Sequence, residues 1–340
     1  MTDGITTIVN DNNYKTHSAV GDLLEPLAWC GWSLMAPPSL RLSKIDGNAQ
    51  FGMIGLSDAG QSGLDLFWYP APKRRPEEKV KRRLFKGLAK KAVDRATMAV
   101  TEIDNNSFRP LKSVDDTSKG ITRCVGYAPL SSRVLEIIYK HEDQDQRHAL
   151  VQTISASLVD QATDEPQRWS CYGCSFVAPT DLRLEKAILR LGDIQLRLVD
   201  KTPSGRFRSS VTVRQVYPAE LALKRQSMHR WMAHLMADQQ RDDRNRKTKL
   251  PKAVDCQPIE TQWGDGLAHR ASRQGPLKIF QWFQPKHQLN YLIHDPLHNR
   301  LILLQVAQHA DDPDSRMAAL VEGLHWAAPN SAMGLSGHGI

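Results

Sequence analysis

The feature that most constrains this 340-residue chain is that it repeats itself. Ser33-Leu-Met-Ala-Pro-Pro-Ser-Leu-Arg-Leu-Ser-Lys44 and Ser175-Phe-Val-Ala-Pro-Thr-Asp-Leu-Arg-Leu-Glu-Lys186 share seven of twelve residues without a gap. The mismatches Leu34/Phe176 and Met35/Val177 stay apolar. A Trp precedes each block (Trp29, Trp169), and Tyr69-Pro-Ala71 and Tyr217-Pro-Ala219 follow. Pro129-Leu-Ser-Ser-Arg133 then matches Pro296-Leu-His-Asn-Arg300, and Asp145-Gln-Arg147 matches Asp314-Ser-Arg316. The offset grows from 142 to 148, 167 and 169, as loop insertions in a second copy require. Colinear self-similarity of this kind means one structural plan used twice. Two halves are therefore expected, residues 20–162 and 163–328, between an N-terminal segment 1–19 and a flexible Gly/Ser-rich tail 329–340.

Within the first half the alternation of Leu64, Leu66 and Trp68 marks a strand, 64–69, preceded by extended runs at 31–36 and 51–57. Pro76 opens a helix expected to run to about Met98, because a Pro at the first turn removes an N–H that has no helical acceptor anyway. Strands at 121–127 and 133–139 and a helix at 144–160 complete the set. The second half repeats it with strands at 172–178, 188–199 and 207–217, a helix at 219–240, strands at 277–283, 289–294 and 301–308, and a helix at 315–326. Short strands joined by tight turns favour antiparallel pairing. The expected fold class is α+β: two duplicated halves, each a mainly antiparallel sheet with helices packed against it.

Composition excludes several classes. A hydrophobic fraction of 41% with 24% charged residues is that of a globular chain. The polar opening, Met1 to Tyr14, reads as no signal peptide, and no apolar run approaches the roughly 20 residues of a membrane span. Five cysteines, an odd number, argue against a disulfide scaffold and for a reducing, cytoplasmic setting.

The formal charge of +8 is local: from Lys73 to Arg95 there are eleven Lys/Arg and three acids. On a helical wheel Val80, Leu84, Phe85, Leu88 and Ala92 form an apolar stripe, with Lys79, Arg83, Lys86 and Lys90 opposite. Those four are the candidate partner-binding residues. A basic stripe suits an acidic protein partner or nucleic-acid phosphate, and equally a solvated outer face. The aromatic interleaving of a single-strand binder is missing, since Phe85 belongs to the apolar stripe. In the second half Leu221, Met228, Trp231, Met232, Leu235 and Met236 read as core packing, and 241–252 as an exposed charged linker.

Other candidates resolve to bland readings. Cys171-Tyr-Gly-Cys174 has no second Cys pair to complete a zinc site, and it enters a strand rather than a helix N-terminus, so buried structural thiols are expected. Cys30 is taken as its counterpart in the first half. His294-Asp-Pro-Leu-His298 falls at a strand-to-strand turn, and the first half carries Tyr127 and Ser131 at those positions. No metal, cofactor or catalytic residue is assigned, and no phosphate loop or nucleophile elbow is present.

The Trp…Ala-Pro…Leu-Arg-Leu openings (Trp29 to Leu42, Trp169 to Leu184) and the Pro-Leu-x-x-Arg turns, in this element order, resemble the Mog1/PsbP-like fold. The chain differs in being tandem and in opening without the export signal many members carry. The resemblance implies a binding, adaptor or assembly subunit rather than an enzyme. The expected function is a non-enzymatic subunit contacting an acidic protein within a complex. A nucleic-acid-associated protein using residues 73–95 is the second reading, and a cryptic hydrolase or metalloenzyme the third.

Overall fold

The structure is a computed structural model describing residues 24–58, 62–86, 100–190, 192–244, 254–272, 285–309 and 312–326. The first half opens with a hairpin of β1 (Glu25–Trp29) and β2 (Trp32–Ala36), followed by β3 (Arg41–Gly47), β4 (Gly52–Ser57) and β5 (Gly63–Pro70). Then come helix α1 (Pro76–Leu84), strands β6 (Val100–Glu102), β7 (Leu111–Asp116), β8 (Ile121–Ala128) and β9 (Arg133–Lys140), helix α2 (Gln144–Ala156) and β10 (Val159–Asp160). The second half runs through β11 (Gln167–Cys171), β12 (Cys174–Ala178), β13 (Arg183–Arg190), β14 (Asp193–Lys201) and β15 (Phe207–Val216). Helices α3 (Ala219–Arg225) and α4 (Met228–Arg244), strands β16 (Gln257–Thr261), β17 (Gly264–Ser272), β18 (His287–Asp295) and β19 (Arg300–Gln308), helix α5 (Asp314–Glu322) and β20 (His325–Trp326) complete it.

Two seven-stranded antiparallel sheets share one order, β3-β4-β5-β9-β8-β7-β6 and β13-β14-β15-β19-β18-β17-β16. Even the irregularities repeat: the register shifts between Leu42 and Lys44 in β3 and between Leu184 and Lys186 in β13. The opening hairpins leave these sheets to build a third, in the order β10-β2-β1-β11-β12-β20. There β1 meets β11 at Ala28↔Ser170, positions that are equivalents in the repeat, so a pseudo-twofold axis passes between them. Each hairpin closes on two residues in left-handed backbone, Cys30-Gly31 (φ 48° and 82°) and Tyr172-Gly173 (φ 51° and 72°). That conformation gives a two-residue turn the twist of its flanking strands.

One apolar core runs through both halves. Leu64, Leu66 and Trp68 of β5 and Leu135, Ile137 and Tyr139 of β9 pack on Trp32 and Leu34 of the shared sheet. The cluster continues through Leu196, Leu198, Val213, Leu304 and Val306 of the second half. Trp29 and Trp169 meet edge to face across the axis, 5.3 Å between centroids, and Trp32 lies 5.9 Å from Trp68. On the outer faces α1 seats Val80 and Leu84 on Val114, Val125 and Val134, while α3 and α4 seat Ala219, Met232 and Leu235 on Leu292, Leu301 and Leu303.

The α+β expectation is corrected. Strand makes up 50% of the structure and helix 20%, in three large antiparallel sheets with five helices among the described residues, so the protein is mostly β. The long first-half helix ends at Leu84 among the described residues, residues 87–99 lying outside them. The second-half helix breaks between Arg225 and Met228, where Ser227 caps a new start. The apolar run at 188–199 is two strands folded at Gly192, whose φ of 77° turns the chain. Half-exposed strands such as β3, β16 and β17 carry too many polar residues for alternation to reveal them. The expected strand 277–283, most of the charged linker and both chain ends lie outside the described residues. Among the described residues no helix is long and apolar enough to cross a membrane.

Candidate functional site

Helix α1 is set on the sheet by its own sequence. Pro76 occupies the first turn, Glu77 and Glu78 face its positive end, and Lys81, Arg82 and Arg83 its negative end. Its basic residues divide into two groups. Arg83 turns inward, its guanidinium 3.7 Å from the Tyr69 ring centroid and 3.4 Å from Glu136. Glu136, buried on β9, takes a second ion pair from Arg123 at 2.6 Å. Lys79 donates to the carbonyl of Pro70 and lies 5.8 Å from the Tyr69 ring. Burial, with Arg83 and Arg82 nearby, holds the Lys79 ammonium below its usual pKa. Burial and then Glu136 push the Tyr69 hydroxyl up. Lys86 is exposed, and Lys90 lies outside the described residues.

The outward group is therefore Lys73, Arg74, Arg75, Lys81, Arg82 and Lys86, all exposed. Of these Arg75 pairs with Glu78 at 3.0 Å, both ends well solvated. The inward cluster is not required by the architecture. In β19 and β18 the positions matching Glu136 and Arg123 are Leu303 and Asn290, because Leu292↔Leu303 pairs as Val125↔Glu136 does. The second half seats its helices there on apolar contacts, with the Ala219 and Glu220 N–H groups donating to Asn299, and Leu303 takes the place of the charged Glu136.

Cys171 and Cys174 face each other at the end of the β11–β12 hairpin. Both are buried, and burial pushes the Cys171 thiol up to about 12. The hairpin register pairs them with Trp29 and Trp32, so Cys30 matches Tyr172 and neither cysteine. His298 closes the β18–β19 turn, its Nδ1 2.6 Å from Asp295 and its backbone N–H donating to the same carboxylate at 3.1 Å. Among the described residues no group of three His, Cys, Asp or Glu is placed to hold a metal ion.

Two hollows escape the sequence reading. A pocket of about 350 Å³ lies on the seam between the halves, where Cys30, Ser131 and Arg133 of the first meet Gln167, Trp169 and Arg183 of the second. A wider hollow of about 560 Å³ lies at the end of the second sheet, around Asp181, Asp200, Arg208 and Arg316. There Arg316 pairs with Asp181 at 3.0 Å and Arg208 with Asp200 at 3.9 Å. The seam pocket was visible only in differences between the copies, once the hairpin turns rather than the tryptophans are superimposed.

No family model, curated protein or solved structure matches this chain.

Proposed function

We propose that the protein is a non-enzymatic binding or assembly subunit of the cytoplasm that engages an acidic protein segment through the exposed basic face of α1 and the turn before it. The observation that carries this reading is the division of labour on the helix. Arg83 and Lys79 fix α1 to the sheet, while Lys73, Arg74, Arg75, Lys81, Arg82 and Lys86 stand in solvent. A buried ion pair contributes little net stability against an apolar alternative, and the second half uses that alternative. What the charged anchor adds is orientation of a cationic ridge. The Mog1/PsbP-like resemblance of the Trp29 and Trp169 openings supports the same reading, since it implies binding rather than catalysis.

The test uses the triple variant Lys81→Glu, Arg82→Glu and Lys86→Glu, which spares the inward pair. The wild-type protein should bind a polyglutamate peptide, lose it as salt rises from about 50 to 300 mM because exposed charges are screened, and lose it outright in the variant. Random duplex DNA is the competing probe. Tighter DNA binding, with a salt slope matching several phosphates, would replace this reading by a nucleic-acid one. Binding of neither probe would remove the ridge as a site.

A further inference from the structure

The pseudo-twofold axis creates the seam pocket twice, and only one copy is open. The offset of 142 between the hairpins maps Gln167, Trp169, Leu182, Arg183 and Leu184 onto Glu25, Leu27, Leu40, Arg41 and Leu42. Those five, with Tyr172 in place of Cys30, line a remnant of about 30 Å³ against about 350 Å³ in the open copy. The open copy is also lined by Ser131 and Arg133, whose counterparts His298 and Arg300 do not line the remnant, and two exchanges distinguish the walls that the copies share. Tyr172 reaches across its hollow and donates its hydroxyl to the Leu42 carbonyl at 2.7 Å, where the open copy has only the Cys30 side chain. Glu25 pairs with Arg41 at 3.4 Å, where the open copy has the neutral Gln167 beside Arg183.

The open pocket is thus left cationic. Arg133, only 7% exposed, gives Nη1 to the carbonyls of Cys30 and Ala49. Arg183 gives Nη1 to the carbonyls of Thr180 and Leu182. Among the described residues neither guanidinium forms an ion pair. Asp160 is near enough to raise the Arg133 pKa, against burial that lowers it, but makes no ion pair with it. The pocket wall also includes Trp169, whose buried indole N–H has no acceptor among the described residues, and the apolar side chains of Leu182 and Leu184. Arg133 is thus a buried cation whose nearby carboxylate, Asp160, forms no ion pair with it, while Arg183 is exposed at the rim. A buried charge gains from a close counter-charge, and a guanidinium fork matches an oxyanion with two parallel hydrogen bonds.

We propose that the seam pocket binds a small organic oxyanion, a carboxylate or phosphate carried on an apolar body. The anionic head meets Arg133 and Arg183, and the body lies against Trp169 and Leu182. The volume is at the lower end of small-molecule sites, and a junction between two halves is a common place for one. The pseudo-equivalent hollow supplies the closed state, filled by its own tyrosine and neutralised by its own glutamate. This site is separate from the α1 ridge and stands or falls without it.

The repeat designs the experiment. Benzoate and phenyl phosphate are titrated against the full chain by ligand-observed NMR, with benzyl alcohol as the uncharged control. Either anion should bind the wild-type protein, and benzyl alcohol should not. Cys30→Tyr installs the plug of the closed copy at a backbone φ of 48°, and Tyr172 adopts 51° in the matching turn, so the variant should fold. Its binding should fall about tenfold or more, with its thermal midpoint unchanged. Gln167→Glu, which places a carboxylate at the position of Glu25, should also weaken binding. It gives up the donation of Gln167 Nε2 to the Ala162 and Glu165 carbonyls, so its fold is checked by circular dichroism alongside. If neither anion binds, or if both folded variants bind like the wild type, the pocket is not an oxyanion site.

Discussion

Lys81 and Arg83 lie two residues apart on α1 and have different tasks. Arg83 is sandwiched between the Tyr69 ring and the buried Glu136 carboxylate, so Arg83→Glu would set two carboxylates side by side and leave the ring without its cation. Breaking a buried pair from one side costs about 3–5 kcal/mol. Lys81→Glu changes a solvated residue and should stay within about 0.5 kcal/mol. Chemical denaturation of the two variants measures the contrast, and equal costs would mean that the inward cluster does not hold the helix. Asp160 offers a pH signature at the same scale. Burial raises its pKa, outweighing the hydrogen bonds from Ser131 and the charge of Arg133. The folded state therefore binds this proton more tightly than the unfolded chain. The stability it contributes is complete below the ordinary Asp value of about 3.9 and is lost as pH rises through the elevated folded value. Asp160→Asn keeps an acceptor for the Ser131 N–H and removes the titration. Its unfolding free energy relative to wild type should rise between about pH 4 and pH 7, and a flat or falling difference would contradict the assignment.

At the scale of elements, the sequence is informative where one face alternates and silent where both faces are mixed. Strands β5, β8, β9, β15 and β19 carry apolar residues at alternate or continuous positions and were legible within a residue or two. Strand β3, Arg-Leu-Ser-Lys-Ile-Asp-Gly, is exposed along most of its length and owes its extended form to pairing with β4, which no local pattern announces. The closing helices were over-read, 144–160 against Gln144–Ala156 and 315–326 against Asp314–Glu322, for a related reason. A stripe spaced at i and i+4 is necessary for a helix but does not say where it stops. The site divides similarly. The cationic character of residues 73–86 was plain from composition. That Lys79 and Arg83 turn inward depends on Tyr69 and Glu136, 10 and 53 positions away in the chain, and only folding brings these together. The seam pocket was latent in the repeat, in Cys30 against Tyr172 and Gln167 against Glu25, substitutions that read as noise until the hairpin register aligns them.

The whole molecule behaves as a dimer written into one chain. Strand β1 is internal only because β11 lies beside it, and Trp29 is capped by Trp169 from the other half. Cutting the chain between the halves would expose Leu27, Trp29 and the adjoining core, and would leave β1 and β11 as unprotected edges able to pair with any similar strand. The axis between Ala28 and Ser170 also shows what that strand would be. A second copy of the same half presents an antiparallel β11 in matching register. Residues 163–326 expressed alone should therefore sediment as a dimer or aggregate rather than as a folded monomer. Mixing with residues 24–162 should restore the one-to-one pair, because only that pairing rebuilds the Trp29–Trp169 contact and the shared core. Sedimentation and near-ultraviolet dichroism would follow both steps. A half that is monomeric with ordered tryptophans would show that each repeat closes its own core, and the shared sheet would then be a docking contact between finished domains.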